Sequence, residues 1–272
     1  MYEKTNSYSI IFDFIKNNTY RNIPVELWDN RLWLYGSILE KLDNVFQDKT
    51  SDNITLYVNV RECKTAGVAC LIKKENTDEL LIDAVDFMDI DKFIENIVNG
   101  YTKPLKITVN SLSLANCIQE KLKYDFKGDF ANYYATRNNY IESKMVIKEL
   151  MKGDGYLFGG IGDLKGWTDL DRILDNGIRY FSIVENNHWI SMCGIGFLSV
   201  FRAEIIAVMT LEPYRKKGLA KEVCSFAMKE VLKVVPLATW TARVNNEVSC
   251  ATAESLGFTK YNELYNFSID KT

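Results

Sequence analysis

The chain has 272 residues, 47% of them apolar and 25% charged, with a formal charge of -3. Those values suit one large globular domain or two of ordinary size, and the slightly acidic balance argues against a nucleic-acid partner. No run approaches the ~18 apolar residues of a membrane span, and the opening MYEKTNSYSIIFDFIKNN lacks a charged-then-apolar leader layout, so a cytoplasmic protein without a membrane partner is expected.

Taken in chain order, residues 25–46 (VELWDNRLWLYGSILEKLDNVF) carry Leu27, Leu32, Leu34, Ile38, Leu39, Leu42 and Val45 at spacings near three and four, which predicts a helix. Three strand-like runs follow at 54–60 (ITLYVNV), 66–74 (AGVACLIKK) and 79–87 (ELLIDAVDF), separated by short polar turns. Then come a helix over 89–101 opened by an Asp, a strand at 105–110, a helix over 111–122 and a strand at 129–137.

The second half repeats that order. Strands are predicted at 178–186, 188–199 and 203–210, a helix over 218–235, a strand at 239–244, a helix over 247–256 and a strand at 260–269. Each half therefore reads β-β-β-α-β-α-β. One local match supports a duplication: VNSLSLANCIQEKLKYDF in the first half parallels VNNEVSCATAESLGFTKY in the second. The polar run TRNNYIESK places a boundary between a domain at 1–140 and a domain at 141–272. The six cysteines are scattered, without the spacing of a zinc site or a disulfide framework, so free thiols and no metal are expected.

The segment EPYRKKGLAKEV at 212–223 carries the clearest chemical signal. Read alone, Arg215, Lys216 and Lys217 are either a solvated helix face or an anion site. The preceding run AEIIAVMT is apolar almost throughout, as in a strand buried on both faces, and it leads through Gly218 into a helix. At such a junction several backbone N–H groups lack intrahelical partners, and the helix dipole adds partial positive charge. Gly218 allows backbone to approach a phosphate closely, Ala220 leaves the first turn uncrowded, and Lys221 adds charge. In the first half the corresponding stretch is MDIDKF, with acidic residues where a phosphate needs donors.

RKKGLA has the form Arg-x-x-Gly-x-Ala and resembles the pyrophosphate-binding signature of the GNAT superfamily of acetyl-CoA dependent N-acetyltransferases. NEVSCATAESLGF resembles the second signature of that superfamily, at a suitable distance and in the right order. The likeness covers about 144–270, and AEIIAVMTLEPYRKKGLA with Tyr261 and Tyr265 is most similar to the zwittermicin A resistance branch. It implies an α/β GNAT fold, a mixed, mostly antiparallel central sheet flanked by helices, in two tandem halves of which the first is degenerate. It further implies acetyl-CoA as the cofactor, with Arg215, Lys216, Lys217, Gly218, Leu219 and Ala220 lining its pyrophosphate. Val208, Met209 and Thr210 would meet the pantetheine arm through their backbone, and Asn246, or its neighbour Asn245, would face the cofactor or cap the following helix.

Direct transfer to an amine requires a base, because an alkyl amine of pKa ~10 is mostly protonated at neutral pH. Glu204, at the start of EIIAVMT, is the first candidate; the alternatives for it are an exposed strand end or an ion pair with Arg202. The usual helix tyrosine of the superfamily is replaced by Ala253, which leaves Tyr261 or Tyr265 as candidate acids, or core residues. His188 reads as a turn residue, and Trp167, Trp189 and Trp240 as core or cleft wall. The expected activity is acetyl transfer to a primary amine of a small molecule; the alternatives are a non-catalytic acyl-CoA binding module and a tandem GNAT aminoacyl transferase using charged tRNA. The acceptor and the oligomeric state are not legible.

Overall fold

The computed structural model describes residues 2–5, 10, 54–73, 75–100, 103–109, 111–138, 141–158, 170–175, 177–197 and 202–269. The helix predicted over 25–46, Trp167 and the side chain of Arg202 lie outside them. The first half comprises β1 (Tyr2–Thr5), β2 (Ile54–Arg61), β3 (Lys64–Ile72), β4 (Asp78–Ala84), α1 (Ile90–Asn99), β5 (Leu105–Val109), α2 (Leu112–Leu122) and β6 (Asp125–Ala135). The second comprises β7 (Lys148–Leu150), α3 (Leu170–Leu174), β8 (Arg179–Glu185), β9 (His188–Phe197), β10 (Arg202–Thr210), α4 (Leu219–Val234), β11 (Leu237–Arg243), α5 (Glu247–Ser255) and β12 (Thr259–Ile269). The repeated order read from the sequence is thus present, with a short edge strand added before each repeat.

Local chemistry explains the shared plan. The β2–β3 and β8–β9 connections are two-residue hairpins, Glu62–Cys63 and Asn186–Asn187, with φ of 48° and 62° and of 50° and 59°. Two successive left-handed residues match the twist of paired strands, as in a type I′ turn. His188 is exposed beside the second of these turns. The helices bury residues at helical spacing: Ile90, Phe93 and Ile94 on α1, Leu114, Ala115 and Ile118 on α2, and Leu219, Val223, Ala227, Met228, Val231 and Leu232 on α4. Cys193 and Cys224 are buried thiols, and burial pushes the Cys224 thiol up.

The chain forms two compact units, residues 1–131 with 261–272, and residues 132–260. In the first, strands lie in the order β1-β2-β3-β4-β5-β12. All neighbours are antiparallel except β4 and β5. Its core includes Leu80, Ile82, Ile94, Ile107, Leu114 and Phe267. In the second, the order is β11-β10-β9-β8-β7, antiparallel except for β10 and β11. There Leu150, Leu157, Phe158, Leu170, Tyr180, Trp189 and Met192 cluster. The mixed, mostly antiparallel sheet with flanking helices is the fold expected from the sequence.

These units differ from a division at 140/141, because most of β12 goes to the first unit and the end of β6 to the second. Tyr265 to Ile269 of β12 pair with Val109 to Leu105 of β5, and the buried Thr108 Oγ1 donates to Asn266 Oδ1 at 2.7 Å. Asn132, on β6, belongs to the second unit, where its Oδ1 accepts from Thr241 Oγ1 at 3.0 Å.

Gly194 on β9 is required by close packing. A Cβ there would lie 2.7 Å from Tyr180 Cε1 and 3.1 Å from Ile206 Cγ1. Gly194→Ala is expected to lower stability by about 1–3 kcal/mol, as overpacking does. Urea denaturation checks it, and an unchanged midpoint would show that the Tyr180 ring moves aside freely.

Candidate functional site

The second unit contains a fork between its two parallel strands. Arg202, Ala203 and Glu204 on β10 pair with Leu237, Ala238 and Thr239 on β11, and Thr239 Oγ1 donates to Ala203 O at 3.3 Å. Beyond that point the parallel register ends. On its other edge β10 stays with β9, but the register shifts between Ile206 and Met209, and Ala207 takes φ of 50°. This is a bulge, with an alanine in a left-handed conformation that costs an L-residue roughly 1–2 kcal/mol.

A cleft of about 240 Å³ opens where the strands part. Glu204 through Val208 form one wall, Trp240 and Thr241 the other, and Ser249 of α5 completes the lining. Along β10, Ala203 and Ile205 are buried, whereas Glu204 and Ile206 are half-buried, as strand alternation requires. Glu204 is therefore a carboxylate at the base of the fork. Of the three residues expected to meet a pantetheine arm, Val208 lines the cleft. Met209 O accepts from Ser191 Oγ at 3.2 Å, and Thr210 O accepts from Arg215 Nε at 3.1 Å. Each carbonyl retains a second lone pair.

After β10 the chain turns through Glu212–Tyr214 and reaches α4. Lys216 and Gly218 have φ of 62° and 79°. Gly218 occupies the cap position without a side-chain cap bond, so among the described residues the leading N–H groups of α4 receive no side-chain capping acceptor. Among the described residues, and apart from its chain neighbours, no atom lies within 4 Å of where a Gly218 Cβ would stand, which leaves an open approach to those N–H groups. Lys217 Nζ sits 5.0 Å over the Tyr214 ring. Glu222, the acid of the first turn, is occupied elsewhere: it accepts from Ser143 Oγ at 2.9 Å and from the Lys144 N–H at 2.7 Å. Arg215, Lys216, Lys217 and Gly218 are all exposed. Exposed cationic residues, helix-start N–H groups without a side-chain cap among the described residues and the positive end of the dipole thus belong to one segment, an arrangement that fits a pyrophosphate.

Asn246 caps α5, its Oδ1 accepting from the Ser249 N–H at 3.2 Å. The same device opens α2, where Ser111 Oγ accepts from the Leu114 N–H. Trp240 is 3% exposed, and its Nε1–H donates to Ser249 Oγ at 3.1 Å. Trp189 is a core residue and Ala253 is fully buried.

Tyr265 requires a correction as a candidate acid. It sits in the core of the first unit beside β5, with its hydroxyl donating to Glu263 at 2.6 Å. Burial, followed by the Glu263 carboxylate, pushes its phenol up, the wrong direction for proton donation. It is absent from the cleft lining, and period-two patterning had no means of showing that its strand pairs with β5. The cleft contributors that sequence reasoning missed are Ile205, Ile206, Ala207, Thr241 and Ser249; Ser249 stood inside NEVSCATAESLGF, which was read only as a signature.

The first unit shows what the equivalent loop becomes with the opposite charge. Asp89 caps α1 with φ of 63°, in the place that Gly218 has before α4. Arg61 reaches Asp89 Oδ2 at 2.8 Å and Asp86 Oδ2 at 3.2 Å. Hydrogen bonds from Lys92 and Arg61 hold the Asp89 carboxyl below the usual range. An anionic pair bridged by its own arginine cannot receive a phosphate.

Comparison with known proteins bears on the family and the fold. Residues 71–267 match the family model described as GNAT acetyltransferase. A GCN5-related N-acetyltransferase from Kribbella flavida has a TM-score of 0.55 at 10% identity, covering 76% of this chain and 87% of its own. A Drosophila protein has a TM-score of 0.61 at 12% identity, covering 98% of each chain. A tandem GNAT protein from the clavulanic acid biosynthesis pathway has a TM-score of 0.55 at 10% identity, covering 99% of this chain and 98% of its own. No curated protein matches the sequence.

The cap on α5 sets one expectation. Asn246→Ala should lower stability by about 1 kcal/mol, and Asn246→Asp, which keeps an acceptor, should restore most of it. Chemical denaturation of both variants measures this, and equal midpoints for the two would remove the capping role.

Proposed function

The chain belongs to the GNAT acetyltransferase family, and from that premise we propose that it transfers acetyl from acetyl-CoA directly to a primary amine of a small molecule. The observation that carries this reading is the placement, in one unit, of an open cleft at the β10–β11 fork and an anion-ready helix start at the far end of the same strand. Bound acetyl-CoA supplies an activated thioester.

In this reading the N–H groups of Gly218, Leu219 and Ala220, with Arg215, Lys216, Lys217 and Lys221, hold the pyrophosphate. The backbone of Val208, Met209 and Thr210 meets the pantetheine arm, and Asn246 adds a contact at the mouth of α5 while retaining its cap. Glu204 accepts the proton that an ammonium must lose before it can attack, directly or through a water. The likeness to the zwittermicin A resistance branch favours an amine-bearing antibiotic or metabolite as the acceptor.

Two substitutions test separate parts of the reading. Gly218→Val places a β-branched residue at φ of 79° and fills the open approach, so acetyl-CoA binding should fall below detection by calorimetry while circular dichroism stays near wild type. Retained affinity in the folded variant would remove the phosphate cradle. Glu204→Gln should keep acetyl-CoA affinity and lower turnover on an accepted amine about 10²-fold or more, with the loss shrinking at high pH, where the amine is already neutral. Full activity at neutral pH would exclude Glu204 as the base.

A further inference from the structure

The residues lining the cleft leave one side-chain proton uncommitted. Ile205, Ile206, Ala207 and Val208 have no side-chain donor, and Glu204 is an acceptor when ionised. Thr241 spends its hydroxyl proton on Asn132 Oδ1, and Trp240 spends its indole N–H on Ser249 Oγ. Ser249 remains. An indole N–H can only donate, so the Ser249 oxygen is held as an acceptor toward Trp240 and its own proton must point elsewhere. Among the described residues nothing accepts that proton.

The hydroxyl is also held in place. Its backbone N–H is bonded to Asn246 Oδ1 at 3.2 Å, and the Trp240 ring packs edge-on against Phe258 with centroids 5.8 Å apart. A hydroxyl that receives one hydrogen bond becomes a better donor of the next. One turn further along α5, on the same face, stands Ala253, which offers no hydroxyl.

We propose that Ser249 donates its hydrogen bond to the sulfur of coenzyme A as the thiolate leaves, with Trp240 as the positioning residue behind it. This rests on the coenzyme reading above. The leaving sulfur is the charge that develops inside the cleft, and a fixed, polarised donor favours a developing anion over a neutral carbonyl. In the transfer, the amine lone pair forms the C–N bond and the C–S pair passes to sulfur. Glu204 takes one proton from the ammonium before attack and passes it to water; once the C–N bond has formed the positively charged nitrogen sheds a second proton to water, and the thiolate is finally protonated by solvent. Ser249 keeps its own proton throughout.

Binding of product tests this without a known acceptor. Coenzyme A and desulfo-coenzyme A, which lacks the sulfur, are titrated calorimetrically into wild type, Ser249→Ala and Ser249→Thr across the ionisation of a free thiol at ~8.5. A donor to the thiolate lowers the bound thiol pKa. Coenzyme A affinity should therefore rise with pH between the bound and the free value, by about tenfold for a shift of one pKa unit, and then level off. Desulfo-coenzyme A should show no such rise. Ser249→Ala should lose the rise while binding desulfo-coenzyme A as wild type does, and Ser249→Thr, which keeps the hydroxyl, should retain it; thiolate ultraviolet absorbance gives the same comparison. A Ser249→Ala profile that still rises, or an equal loss for both ligands, would overturn the assignment to sulfur. Failure of wild type to bind either ligand would overturn the coenzyme reading itself.

Discussion

The parting of β10 from β11 after Glu204 is the constraint on which the rest of the second unit depends. Two parallel strands that remained paired would bury their ladder and leave no room for a ligand. Here pairing stops after three residues, and the bulge at Ala207 turns β10 while it stays bonded to β9. Polar backbone groups along the fork become available to an incoming molecule, and a pantetheine arm of amides is the kind of partner that satisfies them. The fork also separates Glu204 from Trp240, Thr241 and Ser249 across one cleft. Because β10 continues directly into the Arg215–Ala220 loop, cleft and anion site are fixed relative to each other by a single strand.

Charge separates the two units more than topology does. Both have a two-residue left-handed hairpin, a parallel strand pair and a helix that starts at a left-handed residue. At Asp89 that start is acidic and tied to Arg61; at Gly218 it is open, and the nearby Glu222 is drawn off to residues 143–144. The same backbone plan therefore yields one helix end that repels phosphate and one that can attract it.

Much of this was legible in the sequence where the signal is local. Runs rich in β-branched and aromatic residues placed the strands, an opening Asp marked α1, and Gly218 amid cations marked the start of α4. The pairing of β12 with β5 was not legible, because a strand pattern specifies a buried face and not the neighbour it pairs with. Hence Tyr265, read as a possible acid, belongs to a core built on β5. The bulge was equally silent: Ala207 has no residue-type preference for φ of 50°, and its conformation is imposed by pairing with β9. Ser249 gains its meaning only once Trp240, nine residues earlier on another element, is brought to 3.1 Å.

The most direct measurement of the central claim is calorimetric titration of the unmodified protein with acetyl-CoA beside acetyl-pantetheine, which keeps the thioester and arm but lacks the pyrophosphate and nucleotide. The account expects saturable acetyl-CoA binding that weakens as salt is raised, and acetyl-pantetheine binding at least about a hundredfold weaker, since several charge-assisted hydrogen bonds are removed together. Equal affinity for the two, or no binding of acetyl-CoA, would contradict it and return Arg215 to Ala220 to a solvated helix start.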